Sequence, residues 1–99
     1  MRLSTQTQRV IRDTVREIFG SAVTVALFGS RVDDSAQGGD IDLLIQSKTV
    51  VYERERKTLK LVARLQIRLG DQPIDVLVVD PNTKHKPVHD EALRVGVRL

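Results

Sequence analysis

Three short apolar segments, separated by one short and one long connection, constrain the fold of this chain more than any other feature of its sequence. They read VTVALF (Val23–Phe28), DIDLLIQ (Asp40–Gln46) and PIDVLVV (Pro73–Val79), a composition that predicts buried strands. The first connection, residues 29–39, is short for a parallel crossover, so the first two strands are predicted to be antiparallel. The second connection holds a helix of roughly 20 residues, which favours a parallel, right-handed crossover.

Helical patterns surround these strands. A first helix is predicted from Thr5 to Phe19, with Ser4 as its N-cap and Gly20 just beyond its end. Pro87 fits the first turn of a short last helix that reaches about Val95.

A long helix is predicted between the second and third strands, from Thr49 or Val50 to Leu69. Its core-facing residues are predicted to be Leu59, Val62, Leu65 and Leu69, and its basic residues between Arg54 and Arg68 are expected mostly to face water. The whole pattern predicts an α/β fold in which helices pack against a small mixed β-sheet, with residues 1–99 forming a single domain.

The composition excludes several kinds of site. The chain has no cysteine, so disulfides, thiolate metal sites and cysteine nucleophiles are ruled out, and two histidines are too few for a His-only metal site. Aromatic residues make up 3% and the formal net charge is +3, so nucleic-acid binding is permitted but not indicated. No apolar run has the length of a membrane span, and a soluble, cytoplasmic protein is the expectation.

The predicted topology gathers polar residues at one edge of the sheet. Gly29 and Ser30 end the first strand, Asp40 and Asp42 begin the second, and Asp75 begins the third. Because Asp40 and Asp42 are two residues apart in a strand, they are predicted to share a face and to repel each other. A hard divalent cation with oxygen ligands, Mg²⁺ or Mn²⁺, would offset that repulsion.

Such an edge suits phosphoryl or nucleotidyl transfer. Gly29 lets the backbone approach a ligand closely, and Ser30 opens a predicted helical turn whose N–H groups and hydroxyl can hold a phosphate. Three acids can hold two metal ions, and one carboxylate can accept the proton of an attacking hydroxyl. Arg31 is interpreted equally well as a phosphate contact or as a solvated loop residue. Asp33 and Asp34 are interpreted as turn and cap residues.

The segment LFGSRVDDSAQGGDIDLLI resembles the signature of the DNA polymerase β-type nucleotidyltransferase superfamily, hG[GS]-x(9–13)-Dh[DE]h, with nine residues between Ser30 and Asp40. The small size resembles the minimal nucleotidyltransferases, or MNT proteins. The resemblance covers nearly the whole chain.

The resemblance implies Mg²⁺-dependent transfer of a nucleoside monophosphate, AMP for example, from ATP or another NTP. It implies that Asp40, Asp42 and Asp75 are the catalytic and metal-binding acids for two Mg²⁺ ions, with Mn²⁺ as a substitute. It also implies that Gly29 and Ser30, with Arg31, bind the nucleotide. The implied biological role is that of an antitoxin in a toxin–antitoxin system, with a HEPN-domain protein as partner and acceptor. From the composition, nucleic acid is not the expected partner and no membrane association is expected.

The chain also departs from the family pattern. Gly39 stands where many relatives have Ser, and no substrate-binding module follows the core, so the acceptor is expected to come from a partner. One alternative is a catalytically weak or inactive module that neutralises a partner by binding it. A second is a small nucleic-acid-binding protein that uses its basic helix. The sequence leaves open the base preference, the acceptor and whether the chain forms homo- or hetero-oligomers.

Overall fold

A four-stranded mixed sheet and three α-helices make up the fold. The computed structural model describes residues 3–32 and 39–99, apart from the side chain of Ser30. The strands are β1 (Val23–Phe28), β2 (Ile41–Ser47), β3 (Ile74–Val79) and β4 (Val97–Arg98). The helices are α1 (Thr5–Phe19), α2 (Arg54–Leu69) and α3 (Pro87–Val95), and a 3₁₀ turn (Gly29–Val32) follows β1 directly. The predicted α/β class is therefore confirmed.

The strands lie in the order β3-β2-β1-β4. β1 and β2 are antiparallel, with Phe28 opposite Asp42, and β2 and β3 are parallel, with Asp42 beside Asp75. Both predicted strand pairings are confirmed. β4 pairs antiparallel with β1, placing Val97 opposite Leu27. The sequence did not predict β4, because two residues are too few to show an alternating pattern.

The main core lies on one face of the sheet. Ile41, Leu43 and Ile45 of β2 alternate onto this face and are fully buried against α1 and α2. The helices contribute Ile11, Val15, Leu61 and Leu65 to the same cluster. A smaller cluster on the opposite face joins Leu44 and Val79 to Ala92 of α3.

The bounds of α1 and α3 agree with the prediction. The Ser4 hydroxyl accepts a hydrogen bond from the Thr7 N–H at 3.1 Å, which satisfies one of the free donors of the first turn of α1. Gly20 ends the helix at φ +87°, and Pro87 occupies the first turn of α3. β2 and β3 each begin one residue later than predicted, at Ile41 and Ile74.

The predicted start of α2 was wrong, because the helix begins at Arg54 and not at Thr49 or Val50. The Val51 N–H donates to the buried carboxylate of Asp80 at 2.9 Å, and Glu53 lies in the left-handed region at φ +53°. A contact with a residue 29 positions away therefore holds the preceding segment outside the helix, which local periodicity does not encode.

The predicted core face of α2 was wrong at Leu59, which is 72% exposed. The buried stripe instead runs through Leu61, Leu65 and Leu69, spaced four residues apart, with Val62 beside it. Leu59 lies two positions before Leu61, about 200° around the helix, and so points away from the core.

Several arginines of α2 form contacts with the rest of the fold and are not simply solvated. Arg64 and Arg68 lie 3.6 and 3.0 Å from the Glu17 carboxylate. Arg68 also donates to the Thr14 hydroxyl at 2.7 Å, and Thr14 is fully buried. These contacts fix α1 against α2. Within residues 3–32 and 39–99, no helix combines the length and apolar character needed to cross a membrane.

Candidate functional site

Gly29 lies against the carboxylate of Asp42. β1 ends at Phe28, which faces Asp42 across the antiparallel ladder, and the chain turns sharply at Gly29 into the 3₁₀ turn. Gly29 has a φ of +77°, and a Cβ at this position would collide with the Asp42 carboxylate. Both the backbone conformation and the close approach therefore require glycine.

Asp42 and Asp75 are neighbours across the parallel β2–β3 ladder. Asp42 is half-buried and Asp75 is exposed. Burial raises the pKa of the Asp42 carboxyl, and the negative charges of Asp75 and Asp40 raise it further. The protonated form of Asp42 is the one that can donate a hydrogen bond to the Asp75 carboxylate, which raises the pKa in the same direction.

Asp40 lies just outside β2, one residue before its first position, and is exposed. Its charge acts on Asp42, so the three acids occupy one region, as the loop lengths predict. The Ile41 N–H donates to the Pro73 carbonyl at 2.9 Å, which joins the start of β2 to the start of β3.

Arg31 holds Gly39, the residue directly before Asp40. Its Nη2 donates to the Gly39 carbonyl at 2.9 Å and to Gln72 Oε1 at 3.1 Å. Gln72 in turn donates to the Leu69 carbonyl at 3.0 Å, so the link reaches the end of α2. No sequence pattern indicates a role for Gln72, which is 41 positions from Arg31. The side chain of Ser30, and Asp33 and Asp34, lie outside what the structure describes.

Asp42 and Asp75 lie on the same face of the sheet as the smaller cluster of buried residues. Asp42 shares its face with Leu44, and Asp75 shares its face with Leu77 and Val79, because alternate residues of a strand point the same way. Leu44 and Val79 are covered by α3, whereas Asp75 at the start of its strand is exposed. A ligand can therefore reach the acids from the side of the sheet on which α3 packs.

The donors fit a magnesium ion through the pair Asp42 and Asp75. Among the described residues, no group of three acids or histidines is drawn together closely enough to enclose a metal ion. Mg²⁺ is commonly held by one or two carboxylates together with phosphate oxygens and water, so a complete protein cage is not required. The crowding that raises the Asp42 pKa is the electrostatic situation that a cation would relieve.

An open groove of about 780 Å³ lies at a different place, along the outer edge of β3. It is lined by Val76, Leu77 and Val78, by the first half of α2 and by the segment that leads into α3. No sequence pattern predicts this groove, because it depends on Leu59 facing outwards and on β3 lying at the edge of the sheet.

Comparisons with known proteins agree with this geometry. A sequence profile described as a nucleotidyltransferase domain matches residues 9–94. The fold is similar to a chain in the solved structure of tri-AMPylated Shewanella oneidensis HEPN toxin in complex with MNT antitoxin, with a TM-score of 0.64 and 18% identity. A second structure, also from Shewanella oneidensis, gives a TM-score of 0.58 and 16% identity.

Each of these alignments covers 97% of this chain and 71% of the other. At such identities the similarity shows a shared fold. A search of curated protein sequences found no match.

Proposed function

Because the chain belongs to the nucleotidyltransferase domain family, we propose that it transfers a nucleoside monophosphate, most simply AMP from ATP, to a hydroxyl group. The observation that carries the proposal is the close approach of Gly29 to Asp42, directly beside Asp75. A glycine turn without room for a side chain, next to paired carboxylates, suits a triphosphate that enters with its counter-ion.

The nucleotide is assigned to the turn after β1. Gly29 and Ser30 begin the 3₁₀ turn, and we assign their backbone N–H groups to the β- and γ-phosphates. Arg31 holds Gly39 and Gln72, so in this proposal it acts first by positioning Gly39 beside Asp40, with phosphate contact as a second role.

Asp42 and Asp75, with Asp40 beside them, are assigned to Mg²⁺, and Mn²⁺ would suit the same oxygen donors. When bound, the ion supplies charge neutralisation for the triphosphate and the developing negative charge. The protein's own part is to hold carboxylates at fixed positions on two adjacent strands. This rigidity keeps the acids in place before the substrate arrives.

The transfer itself requires one proton acceptor. The acceptor hydroxyl oxygen forms a bond to the α-phosphorus, the bond from that phosphorus to the bridging oxygen breaks, and pyrophosphate leaves. We assign the hydroxyl proton to the Asp75 carboxylate, because Asp75 is the exposed member of the pair. Asp42 is less accessible to the acceptor, since its side chain is half-buried.

The proposed acceptor is a hydroxyl of a HEPN-type partner protein, which would make the chain an antitoxin of a cytoplasmic toxin–antitoxin pair. Support comes from the similarity in fold to a chain in the structure of an AMPylated HEPN toxin with an MNT antitoxin. The described residues offer no second module that could orient an acceptor, and orientation supplies much of the rate in phosphoryl transfer.

One observation favours a second candidate function, a module that neutralises its partner by binding alone. Among the described residues, the three acids alone do not enclose a metal ion, so metal binding here depends on a nucleotide that supplies the remaining ligands. In that case the fold and the partner would be retained, and nucleotide transfer would be absent.

Labelled ATP distinguishes these two functions. We expect the protein with Mg²⁺, α-labelled ATP and the product of the neighbouring gene to transfer label to that product. Asp42→Asn should abolish labelling, and Ser30→Ala should weaken it. Asp13→Asn, at an exposed acid of α1, which packs on the other face of the sheet, is the matched control and should label normally. If wild type transfers no label, and Asp42→Asn protects cells from the partner as fully as wild type does, catalysis is excluded and the binding module remains.

A further inference from the structure

The groove beside β3 follows the exposed backbone edge of that strand. Val76, Leu77 and Val78 are consecutive and all three line it, although their side chains alternate between the two faces of the sheet. A groove that touches all three must therefore run along the edge between the faces. Among the described residues, β3 pairs with β2 alone, so its outer N–H and C=O groups have no strand partner. Such an edge is a template for another extended chain.

The charges around the groove favour an acidic ligand. Arg54, Lys84 and Lys86 line it, against the single carboxylate of Glu55. Arg54 is partly engaged, because it lies 4.0 Å from the buried Asp80 carboxylate. Lys84 and Lys86 are exposed, and neither pairs with a carboxylate anywhere in residues 3–32 and 39–99. Two free cations therefore border an unpaired strand edge.

The groove also offers apolar contact. Leu59, which is 72% exposed, lines it from α2, and Leu77 lines it from the sheet. Leu77 shares its face with Asp75, two residues earlier in the strand. Leu77 in the groove and Asp75, the proposed proton acceptor, are thus successive positions on one face of β3, about 7 Å apart at 3.3 Å per residue.

We propose that this groove binds an extended, acidic segment of a protein partner, which adds as a fifth strand to the outer edge of β3. The proposal deepens the proposed function and rests on it for the role of Asp75, because a segment laid along β3 passes that carboxylate and can present a hydroxyl to it. The backbone of β3 would supply affinity, Lys84 and Lys86 would select acidic side chains, and Leu59 would receive an apolar one.

A protein segment fits the groove better than a nucleic-acid strand does. None of the described lining side chains is Phe, Tyr or Trp, so the stacking platforms that bind single strands are missing. The strand edge and the leucines instead match the backbone and side chains of a peptide.

A peptide-binding experiment tests the proposal. The probe is a short fluorescent peptide of alternating glutamate and valine with one central tyrosine, titrated without nucleotide or metal. We expect binding that weakens with salt and moves the backbone amide resonances of Val76 and Val78. The double variant Lys84→Glu/Lys86→Glu should raise the Kd by about tenfold or more. The matched control Lys48→Glu/Lys60→Glu, with the same charge change at exposed lysines outside the groove, should bind nearly as wild type does.

Two further probes test the binding mode. Methylation of alternate backbone nitrogens of the peptide should abolish binding, because it removes the donors of a strand ladder. An oligothymidine should bind more weakly than the peptide. No peptide binding up to about 1 mM, an unchanged Kd in the Lys84 and Lys86 variant, equal binding of the methylated peptide, or tighter binding of the oligothymidine would each overturn the proposal.

The outcome is separable from that of the proposed function. Asp42→Asn should lose AMP transfer but keep its affinity for the peptide. If peptide binding behaves as expected and no label is ever transferred, the proposed function fails alone. If label is transferred to the partner while reversal of Lys84 and Lys86 changes neither the KM for that partner nor the peptide Kd, the groove proposal fails alone.

Discussion

At the scale of single residues, the close approach of Gly29 to Asp42 leaves no room for a side chain at position 29. We expect Gly29→Ala to lose stability and to abolish the rise in melting temperature that Mg²⁺ and ATP produce. The new methyl group would meet the Asp42 carboxylate and displace it. The left-handed backbone alone costs an alanine about 1–2 kcal/mol.

Gly20→Ala is the matched control for that substitution. Gly20 has a similar φ of +87°, but nothing lies within 4 Å of the position that a Cβ would take. This variant should also be less stable and should still respond to Mg²⁺ with ATP. Equal responses in the two variants would show that the nucleotide does not use the Gly29 turn. Both are measured by thermal denaturation with and without Mg²⁺ and ATP.

Asp42 should reduce the stability of the metal-free protein. Its pKa is raised above 3.8, mainly by burial and then by Asp75 and Asp40, so the folded state binds its proton more tightly than the unfolded state does. Asp42→Asn should therefore be as stable as wild type or more stable by less than about 1 kcal/mol at neutral pH, since solvent screens a half-exposed group.

The difference between wild type and Asp42→Asn should disappear as the pH falls through the folded-state pKa of Asp42 towards 3.8, where wild type becomes protonated too. Urea denaturation in EDTA at several pH values measures it. A large loss of stability in Asp42→Asn would instead mean that this carboxylate makes a structural contact.

At the scale of elements, Asp80 joins the end of β3 to the segment before α2. Its carboxylate accepts hydrogen bonds from the N–H groups of Val51 and Asn82 and from the Thr83 hydroxyl, with Arg54 4.0 Å away. These contacts lower the pKa of Asp80, the bond from Val51 most of all. The start of α2 depends on this one side chain.

Asp80→Asn should therefore destabilise the fold in a pH-dependent way. A lowered pKa gives stability that is fully present above the unfolded-state value of 3.8 and is lost as the pH falls through the lower folded-state value. Wild type should exceed Asp80→Asn at neutral pH and approach it in strong acid, as judged by the urea midpoint. Asp71→Asn, which changes an exposed acid, should have the same urea midpoint as wild type at every pH. An equal loss of stability in Asp71→Asn and Asp80→Asn would argue against a specific role for Asp80.

The sequence was sufficient for the elements whose signals are local. The cap at Ser4, the glycine after α1 and the apolar runs of β1 to β3 predicted those elements to within a residue at each start. The start of α2 could not be predicted, because it depends on a hydrogen bond between Val51 and Asp80. The outward position of Leu59 could not be predicted either, because two overlapping helix faces of α2 both carry leucines. Packing against α1 selects the face that includes Leu61.

The gathering of the candidate residues at one edge of the sheet was predictable, but their contacts there were not, and their roles in catalysis and binding stay predictions. Loop lengths sufficed to bring Gly29, Asp42 and Asp75 to one edge, because they decide which strands run antiparallel and which run parallel. The hydrogen bonds from Arg31 to Gly39 and Gln72 could not be predicted, since nothing in the spacing of those residues indicates them.

At the scale of the whole molecule, binding of nucleotide should be visible as added stability. A ligand at ten times its Kd stabilises the folded state by about 1.4 kcal/mol. We expect ATP with Mg²⁺ to raise the melting temperature more than ATP with EDTA, and we expect Asp42→Asn to lose that difference. An identical rise in wild type and Asp42→Asn would place the nucleotide away from these acids.

The sheet order also implies a sequence of events in time. β1 and β2 are joined by residues 29–40, whereas β2 and β3 are joined by residues 48–73, about twice as many, and must wait for α2 to cross over. The doubled length adds only about 0.6 kcal/mol of closure entropy. The parallel strands, however, can pair stably only after the helix between them has formed. Gly29 and Asp42 should therefore meet early during folding, and Asp75 should join them later. The carboxylates of Asp42 and Asp75 would then come together only after α2 has formed, so that their mutual repulsion opposes a later stage of the folding reaction and not its beginning.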